Sequence, residues 1–304
     1  MCPAPANPTR WTTRALLEWM ANAFRKAGLD SPRLMGEMLL SHVLGCERLS
    51  LYTQPDRPAA DDERERLRDL VARALRHEPV QYLVGEGWFF SLPMRVDRRV
   101  LVPRPSTETM VEHALQHARA EPGFGGRNGE GVVLADVCTG SGAVAIAMLK
   151  NLPGAHAIAT DISPDALDVA LENAQRHNVH DRLDLAAGDL LEPVTSHPIG
   201  HALHFVLSNP PYIPDDEWPD VDRNVKDHEP EIALRGGPDG MRFVAPLIAN
   251  APARLRPGGL LLVEVASSRA EEALAIALGH DALRDARIVQ DHEGLPRVII
   301  AHRR

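Results

Sequence analysis

The spacing of apolar positions changes character twice along this chain. Between residues 12 and 28, Leu16, Met20, Ala23, Phe24 and Ala27 recur at helical spacing and the run stops at Gly28, a natural residue just past a helix end. Ser31 followed by Pro32 has the order of an N-cap and a first helical residue, and that helix runs through Leu39, Leu40 and Val43 to Gly45. Asp61 or Asp62 caps a longer helix with Leu67, Leu70, Val71, Ala74 and Leu75 on one face. Residues 1–85 are expected to form a small helical domain.

From Gly87 the pattern turns aromatic and β-branched. Trp88-Phe89-Phe90 and Met94-Arg95-Val96 flank Ser91-Leu92-Pro93, which predicts a β-hairpin linking two domains across residues 86–104. Ser106 with Thr107 is placed to cap a helix reaching about Ala120, and the glycine-rich stretch 122–131 is expected to be a flexible loop. Beyond it strands and helices alternate. Strands are predicted at 132–137, 155–160, 183–187, 204–207, 260–265, 288–290 and 298–301. Helices are predicted at 143–152, 164–177 (capped by Ser163), 243–255 and 271–278. Such alternation implies an α/β domain, a mostly parallel sheet with helices on both faces, whose ligands bind at the carboxyl ends of the strands.

The chemistry-bearing residues all fall at those ends. Asp136-Val137-Cys138-Thr139-Gly140-Ser141-Gly142 follows the first strand and opens a helix, so its glycines let the backbone approach a ligand. Asp161 ends the second strand, where a carboxylate pairs with the two hydroxyls of an adenosine ribose. These features alone do not separate a dinucleotide enzyme from a methyltransferase. Two details favour S-adenosyl-L-methionine (AdoMet). The later glycine of the dinucleotide fingerprint is missing, with Val144 or Ala145 in its place, and Asp189-Leu190 follows the third strand, offering an acceptor for an adenine amino group and a cover for its ring.

The strand at 204–207 runs into Ser208-Asn209-Pro210-Pro211-Tyr212, a turn built of acceptors. Asn209 has a side-chain carbonyl, and the two prolines have carbonyls but no N–H. That suits a substrate with a planar NH₂, and Tyr212 is expected to add a face for stacking. A plain proline turn is the competing interpretation.

Composition narrows the classes. The chain has 304 residues, a net charge of −9 and three cysteines, Cys2, Cys46 and Cys138, without metal spacing or an even count. The charge is uneven, with 12 basic and 11 acidic residues up to position 85 but 21 and 31 after it, which disfavours a nucleic-acid backbone as partner. No run has the length of a membrane span, and Met1–Arg10 lacks the order of a signal peptide, so a cytoplasmic enzyme is expected. His197, His201 and His204, and the pair His113 and His117, lack the further ligands that a metal site needs.

The chain resembles the protein-(glutamine-N5) methyltransferases, most closely the branch acting on peptide chain release factors. The likeness runs nearly end to end. It is carried by 27–33 (Ala-Gly-Leu-Asp-Ser-Pro-Arg), 78–83 (Glu-Pro-Val-Gln-Tyr-Leu), 101–108 (Leu-Val-Pro-Arg-Pro-Ser-Thr-Glu), Cys138–Gly142, Asn209–Tyr212 and His228-Glu229-Pro230. The resemblance implies an AdoMet-dependent Rossmann-like methyltransferase domain with a mostly parallel seven-stranded sheet over residues 105–304. It also implies that Cys138, Thr139, Gly140, Ser141, Gly142, Asp161, Asp189, Leu190 and Asn209 hold the cofactor, while Asn209, Pro210, Pro211 and Tyr212 hold and activate the acceptor glutamine. Two positions depart from the family pattern: Cys138 replaces a glycine, and Ser106 stands where that branch often has Asp.

A release factor is thus the expected partner of a monomeric enzyme that needs no metal, membrane or nucleic acid. The alternatives are the sister branch, which methylates a large-subunit ribosomal protein, and a nucleic-acid amino-methyltransferase. Arg104 with Glu108 suggests either an ion pair at a helix start or a role over the cofactor, and Glu264 at a strand end is equally open.

Overall fold

A computed structural model describes residues 11–304. Cys2 and the expectation about Met1–Arg10 lie outside the described residues. The chain divides into two compact units, one running to Gly85 and taking in Arg223–His228, the other comprising Glu86–Asp222 and Glu229–Arg304.

The first unit is helical: α1 (Thr13–Lys26), α2 (Pro32–Leu44), α3 (Ser50–Thr53), α4 (Asp61–Ala74) and α5 (Val80–Val84). Leu16, Met20, Phe24, Leu39, Leu40, Leu67 and Val71 form its buried core. Two of the expected caps are replaced. Ser31 precedes α2, but its backbone is left-handed (φ 49°) and its hydroxyl caps nothing. Asp61 and Asp62 are exposed in the first turn of α4, where Glu63 reaches back to accept from the Ala60 N–H at 2.8 Å and is itself held by Arg57. A glutamate at the third helical position serves this donor as well as a capping aspartate serves its own.

The second unit opens with a hairpin, β1 (Glu86–Phe89) and β2 (Leu92–Arg95). Its turn is tighter than expected, two residues rather than three: Phe90 and Ser91 are both left-handed, at φ 50° and 62°. Glu108 stabilises this strained turn by accepting from the Phe90 N–H at 2.7 Å. Next come α6 (Pro105–Ala120), β3 (Val133–Val137), α7 (Ala143–Asn151), β4 (His156–Asp161), α8 (Pro164–Arg176), β5 (Leu183–Ala187), α9 (Glu192–Ser196) and β6 (Leu203–Ser208). A short helix, α10 (Arg223–Lys226), belongs to the first unit, and the chain ends through α11 (Val244–Asn250), β7 (Leu255–Glu264), α12 (Ala270–Leu278), β8 (Leu283–Gln290) and β9 (Pro296–Arg303).

The seven strands lie in the order β5-β4-β3-β6-β7-β9-β8, parallel except that β9 opposes both of its neighbours. Every residue of β6 is buried, as a central strand covered on both faces requires. The order reverses between β3 and β6, and the crevice at such a reversal is where an α/β sheet binds ligands. The helix expected over 243–255 ends at Asn250: Pro252 has no N–H for an α-helical bond, a 3₁₀ turn follows, and Leu255 already pairs with Leu203 in the sheet. The stretch 122–131 is a series of turns in which buried Phe124 meets His117, His204 and Phe205 edge-on. Among the described residues no helix is long and apolar enough to cross a membrane.

Candidate active site

A cavity of about 640 Å³ lies at the carboxyl ends of the central strands, entirely within the second unit. Carboxylates from three adjacent strands reach it: Asp136 on β3, Asp161 on β4 and Asp189 just after β5.

Asp136 is fully buried, and one of its oxygens accepts both the Thr139 hydroxyl at 2.6 Å and the Ala145 N–H at 3.0 Å. Burial outweighs those bonds and lifts its pKa from 3.8 to about 7. Asp161 accepts from the Gly140 N–H at 2.9 Å and the Ser163 N–H at 3.0 Å, yet burial holds it above the ordinary aspartate value too. The loop between these carboxylates is therefore pinned from both sides. Asp136 secures the start of α7, and Asp161 secures the crest of the turn.

Cys138 adopts φ 60°, a left-handed conformation that costs a residue with a side chain about 1 kcal/mol. Burial raises its thiol pKa far above the usual range, so the group stays neutral. At Gly140 (φ 55°) an added Cβ would project into open space, leaving the backbone accessible from the cavity. Cys138, Thr139, Gly140 and Ser141 line the cavity. Gly142 does not: a Cβ there would lie 3.1–3.3 Å from Ile146 and Ala170, so its role is the packing of α7 on α8. Leu190 is left-handed at φ 45°, its carbonyl held by the Thr160 hydroxyl at 2.9 Å. With Ile162 it forms an apolar wall next to Asp161 and Asp189.

The acceptor loop starts where β6 stops. Ser208 donates to the Val137 carbonyl at 2.7 Å, fixing the strand end beside β3. The Asn209 amide nitrogen donates to the Thr107 hydroxyl oxygen at 3.1 Å, and Thr107 donates in turn to Glu264 at 2.6 Å. The Tyr212 hydroxyl (2.9 Å) and the Ser106 hydroxyl (3.3 Å) also donate to Glu264, which is fully buried at the end of β7. Burial raises the Glu264 pKa, against the three hydroxyls and the charge of Arg297. The expected capping role of Ser106 and Thr107 is thus displaced. Both sit in the first turn of α6, Arg104 takes the cap position without its side chain capping the helix, and the hydroxyls serve a buried carboxylate instead.

Asn209 and Pro211 line the cavity; Pro210 and Tyr212 do not. The stacking face expected of Tyr212 is packed against the core, and the hydroxyl it turns to Glu264 makes it a buttress of the loop. Arg104 and Glu108 do not pair with each other. Arg104 meets Glu229, whose other oxygen accepts from the Val102 N–H at 3.0 Å, while Glu108 serves the hairpin turn. Burial raises the Glu229 pKa despite the Arg104 charge.

One wall was not anticipated. The segment 230–243 crosses the acceptor loop and is bound to it by backbone hydrogen bonds: Ile213 N–H to Leu234 (2.9 Å), Gly236 N–H to Ile213 (2.8 Å) and Asp215 N–H to Gly237 (3.0 Å). A Cβ on Gly236 or Gly240 would come within 2.7 or 2.5 Å of the Tyr212 backbone, so only glycine permits this approach. The cluster Gly236-Gly237-Pro238-Asp239-Gly240 is the signal that marks it in the sequence. Among the described residues no group of three or more His, Cys, Asp or Glu is placed to hold a metal.

Residues 15–85 match the family described as PrmC N-terminal domain, and residues 127–225 the Methyltransferase small domain. The release factor glutamine methyltransferase of Chlorobaculum tepidum is 38% identical, covering 94% of this chain and 96% of that protein. The protein of the same name from Rhodopirellula baltica is 37% identical over 97% of each chain. The crystal structure of a release factor-specific protein-(glutamine-N5) methyltransferase from Alicyclobacillus acidocaldarius is 26% identical, covers 69% of this chain and 99% of that one, and superimposes with a TM-score of 0.40.

Proposed function

The chain belongs to the release factor glutamine methyltransferase family, and on that premise we propose that it transfers a methyl group from AdoMet to the side-chain amide nitrogen of a glutamine in a peptide chain release factor. The observation that carries the chemistry is the orientation of Asn209. Its NH₂ end is occupied by Thr107, so its carbonyl oxygen is the end left for a ligand.

The cavity suits AdoMet. Asp161 keeps acceptor capacity beyond its two backbone bonds and is matched to the ribose hydroxyls. The open face of Gly140 admits the methionine part, while Leu190 and Ile162 offer an apolar slot for adenine with Asp189 at its edge. Bound there, AdoMet supplies an electrophilic methyl on a sulfonium centre.

A glutamine amide nitrogen is a weak nucleophile because its lone pair is delocalised into the carbonyl. In this mechanism the Asn209 side-chain oxygen, which lines the cavity where Pro210 does not, accepts one of its N–H groups and holds the nitrogen facing the methyl. Alignment by a preorganised acceptor lowers the barrier without a general base. That same acceptor rejects a glutamate carboxylate, which brings only oxygens to it. The helical unit, close to neutral where the second unit is strongly acidic, docks the protein substrate, and the enzyme works as a monomer in the cytoplasm.

Labelled AdoMet offered with a release factor, a large-subunit ribosomal protein and duplex DNA in separate reactions tests this reading. Label is expected on a glutamine of the release factor. Label on the ribosomal protein or on DNA, with none on the release factor, would overturn it.

A further inference from the structure

Four groups behind the acceptor loop form one hydrogen-bonded chain: the Asn209 amide, the Thr107 hydroxyl, the Glu264 carboxylate and the Tyr212 hydroxyl. Counting protons along it fixes its direction. Glu264 accepts the hydroxyls of Thr107 on one oxygen and of Tyr212 and Ser106 on the other, so all three point their protons at the carboxyl group. Thr107 has a single proton, and the 2.6 Å contact to Glu264 uses it. Toward Asn209 the Thr107 oxygen has only lone pairs, so at 3.1 Å the amide must present NH₂. The flipped amide would set two acceptors against each other with no proton between them.

We propose that Thr107 and Glu264 act as positioning residues that fix the sense of the Asn209 amide and thereby decide which groups the loop admits. The inference rests on the reading of Asn209 as acceptor for the glutamine N–H. With the relay intact, the cavity sees a carbonyl oxygen and selects an N–H donor. With Thr107 unable to accept, Asn209 is free to turn, and a share of the molecules show the substrate an NH₂. That end cannot accept from glutamine but can donate to a carboxylate. Selectivity and turnover therefore depend on a hydroxyl located 102 residues away from Asn209 in sequence.

The test uses the full-length enzyme, saturating AdoMet and a release factor, with single-turnover rates measured for Thr107→Val and Thr107→Ser in the parent and in an Asn209→Ala background. In the parent, Thr107→Val is expected to slow transfer roughly 5- to 20-fold, the worth of one oriented hydrogen bond, and Thr107→Ser to recover most of that. In the Asn209→Ala background the same Thr107→Val change should cost less than about 2-fold, since no amide remains to be oriented. Binding of a release factor carrying glutamate in place of the target glutamine supplies a second readout. The parent's preference for glutamine should narrow in Thr107→Val while AdoMet affinity holds.

Equal costs in the two backgrounds, or an unchanged glutamine preference, would overturn the proposal. If Thr107→Val no longer binds AdoMet, Glu264→Gln is the second probe. Its amide can donate to Thr107, turning the hydroxyl proton toward Asn209, and the same dependence on Asn209 is expected; additivity there overturns the relay as well. A parent enzyme that labels no glutamine removes the functional reading itself, whereas a parent that labels glutamine but shows additive variants removes only the relay.

Discussion

Replacing Asp161 by Ala removes a carboxylate that does two things at once. It accepts the Gly140 and Ser163 N–H groups at 2.9 and 3.0 Å, and it lines the cavity where the proposed mechanism puts the AdoMet ribose. Hydrogen bonds to a charged acceptor contribute about 1.5–3 kcal/mol, so losing the ribose contact alone should weaken AdoMet binding roughly 10- to 150-fold. The two backbone donors lose their partner as well, but they border an open cavity and water can satisfy them, so the fold should lose only about 1 kcal/mol. Asp161→Asn separates the two roles, because its oxygen can keep one backbone bond while the charge is gone; it should fall between parent and Ala. Calorimetric titration with AdoMet measures the affinity, and urea unfolding of the free protein the stability. An affinity within a factor of two of the parent would remove Asp161 from the cofactor site. A loss of several kcal/mol in stability would mean that its role is structural.

Other consequences are as direct. The pKa of Asp136 rises from 3.8 to about 7 on folding, so the folded state binds the extra proton and stability should fall as pH rises between those values; urea midpoints across that range should decline more steeply for the parent than for Asp136→Asn. Arg104→Ala leaves the buried Glu229 carboxylate without its cation and should cost ~3 kcal/mol at pH 8, and less at pH 5 where Glu229 can take up a proton, a difference that unfolding at the two pH values will show or refute. A chain beginning at Glu86 should still bind AdoMet, since the proposed cofactor residues lie in the second unit, but should methylate an intact release factor poorly; full-rate methylation by that chain would end the docking role of the helical unit.

The strands and most helices were readable because their signals are local. β5 matches its predicted range, and Ser163 caps α8 as its sequence context suggests, with the hydroxyl accepting from Ala166 at 3.2 Å. The placement of the 138–141 loop and Asp161 beside the cavity was readable for the same reason: glycines and a carboxylate at strand ends lie where such a sheet opens its crevice. What escaped depends on partners distant in sequence. Thr107 looked like a helix cap because nothing nearby shows that Glu264 lies within 2.6 Å, and a buried carboxylate outcompetes a local N–H for that hydroxyl. Glu229 was visible in a family motif, yet its pairing with Arg104 spans 125 residues. Tyr212 looked like a platform because an aromatic ring beside an acceptor turn suggests stacking, and only the packed structure turns its hydroxyl to Glu264. The glycine cluster at 236–240 was an ordinary turn signal whose purpose, contact with the Tyr212 backbone, appears only once both segments are in place.

The central claim is that Asn209 works through its carbonyl oxygen as an acceptor for the substrate amide. Single-turnover methyl transfer to a release factor at saturating AdoMet, compared for the parent, Asn209→Asp and Asn209→Ala, tests it most directly. Asp keeps an oxygen at the same reach, though it gives up the NH₂ that Thr107 holds, so the predicted order is parent, then Asp, then Ala, with Ala slower than the parent by roughly 5- to 150-fold, the equivalent of ~1–3 kcal/mol. If Asn209→Ala transfers methyl as fast as the parent, the acceptor mechanism is wrong and the loop is a structural turn.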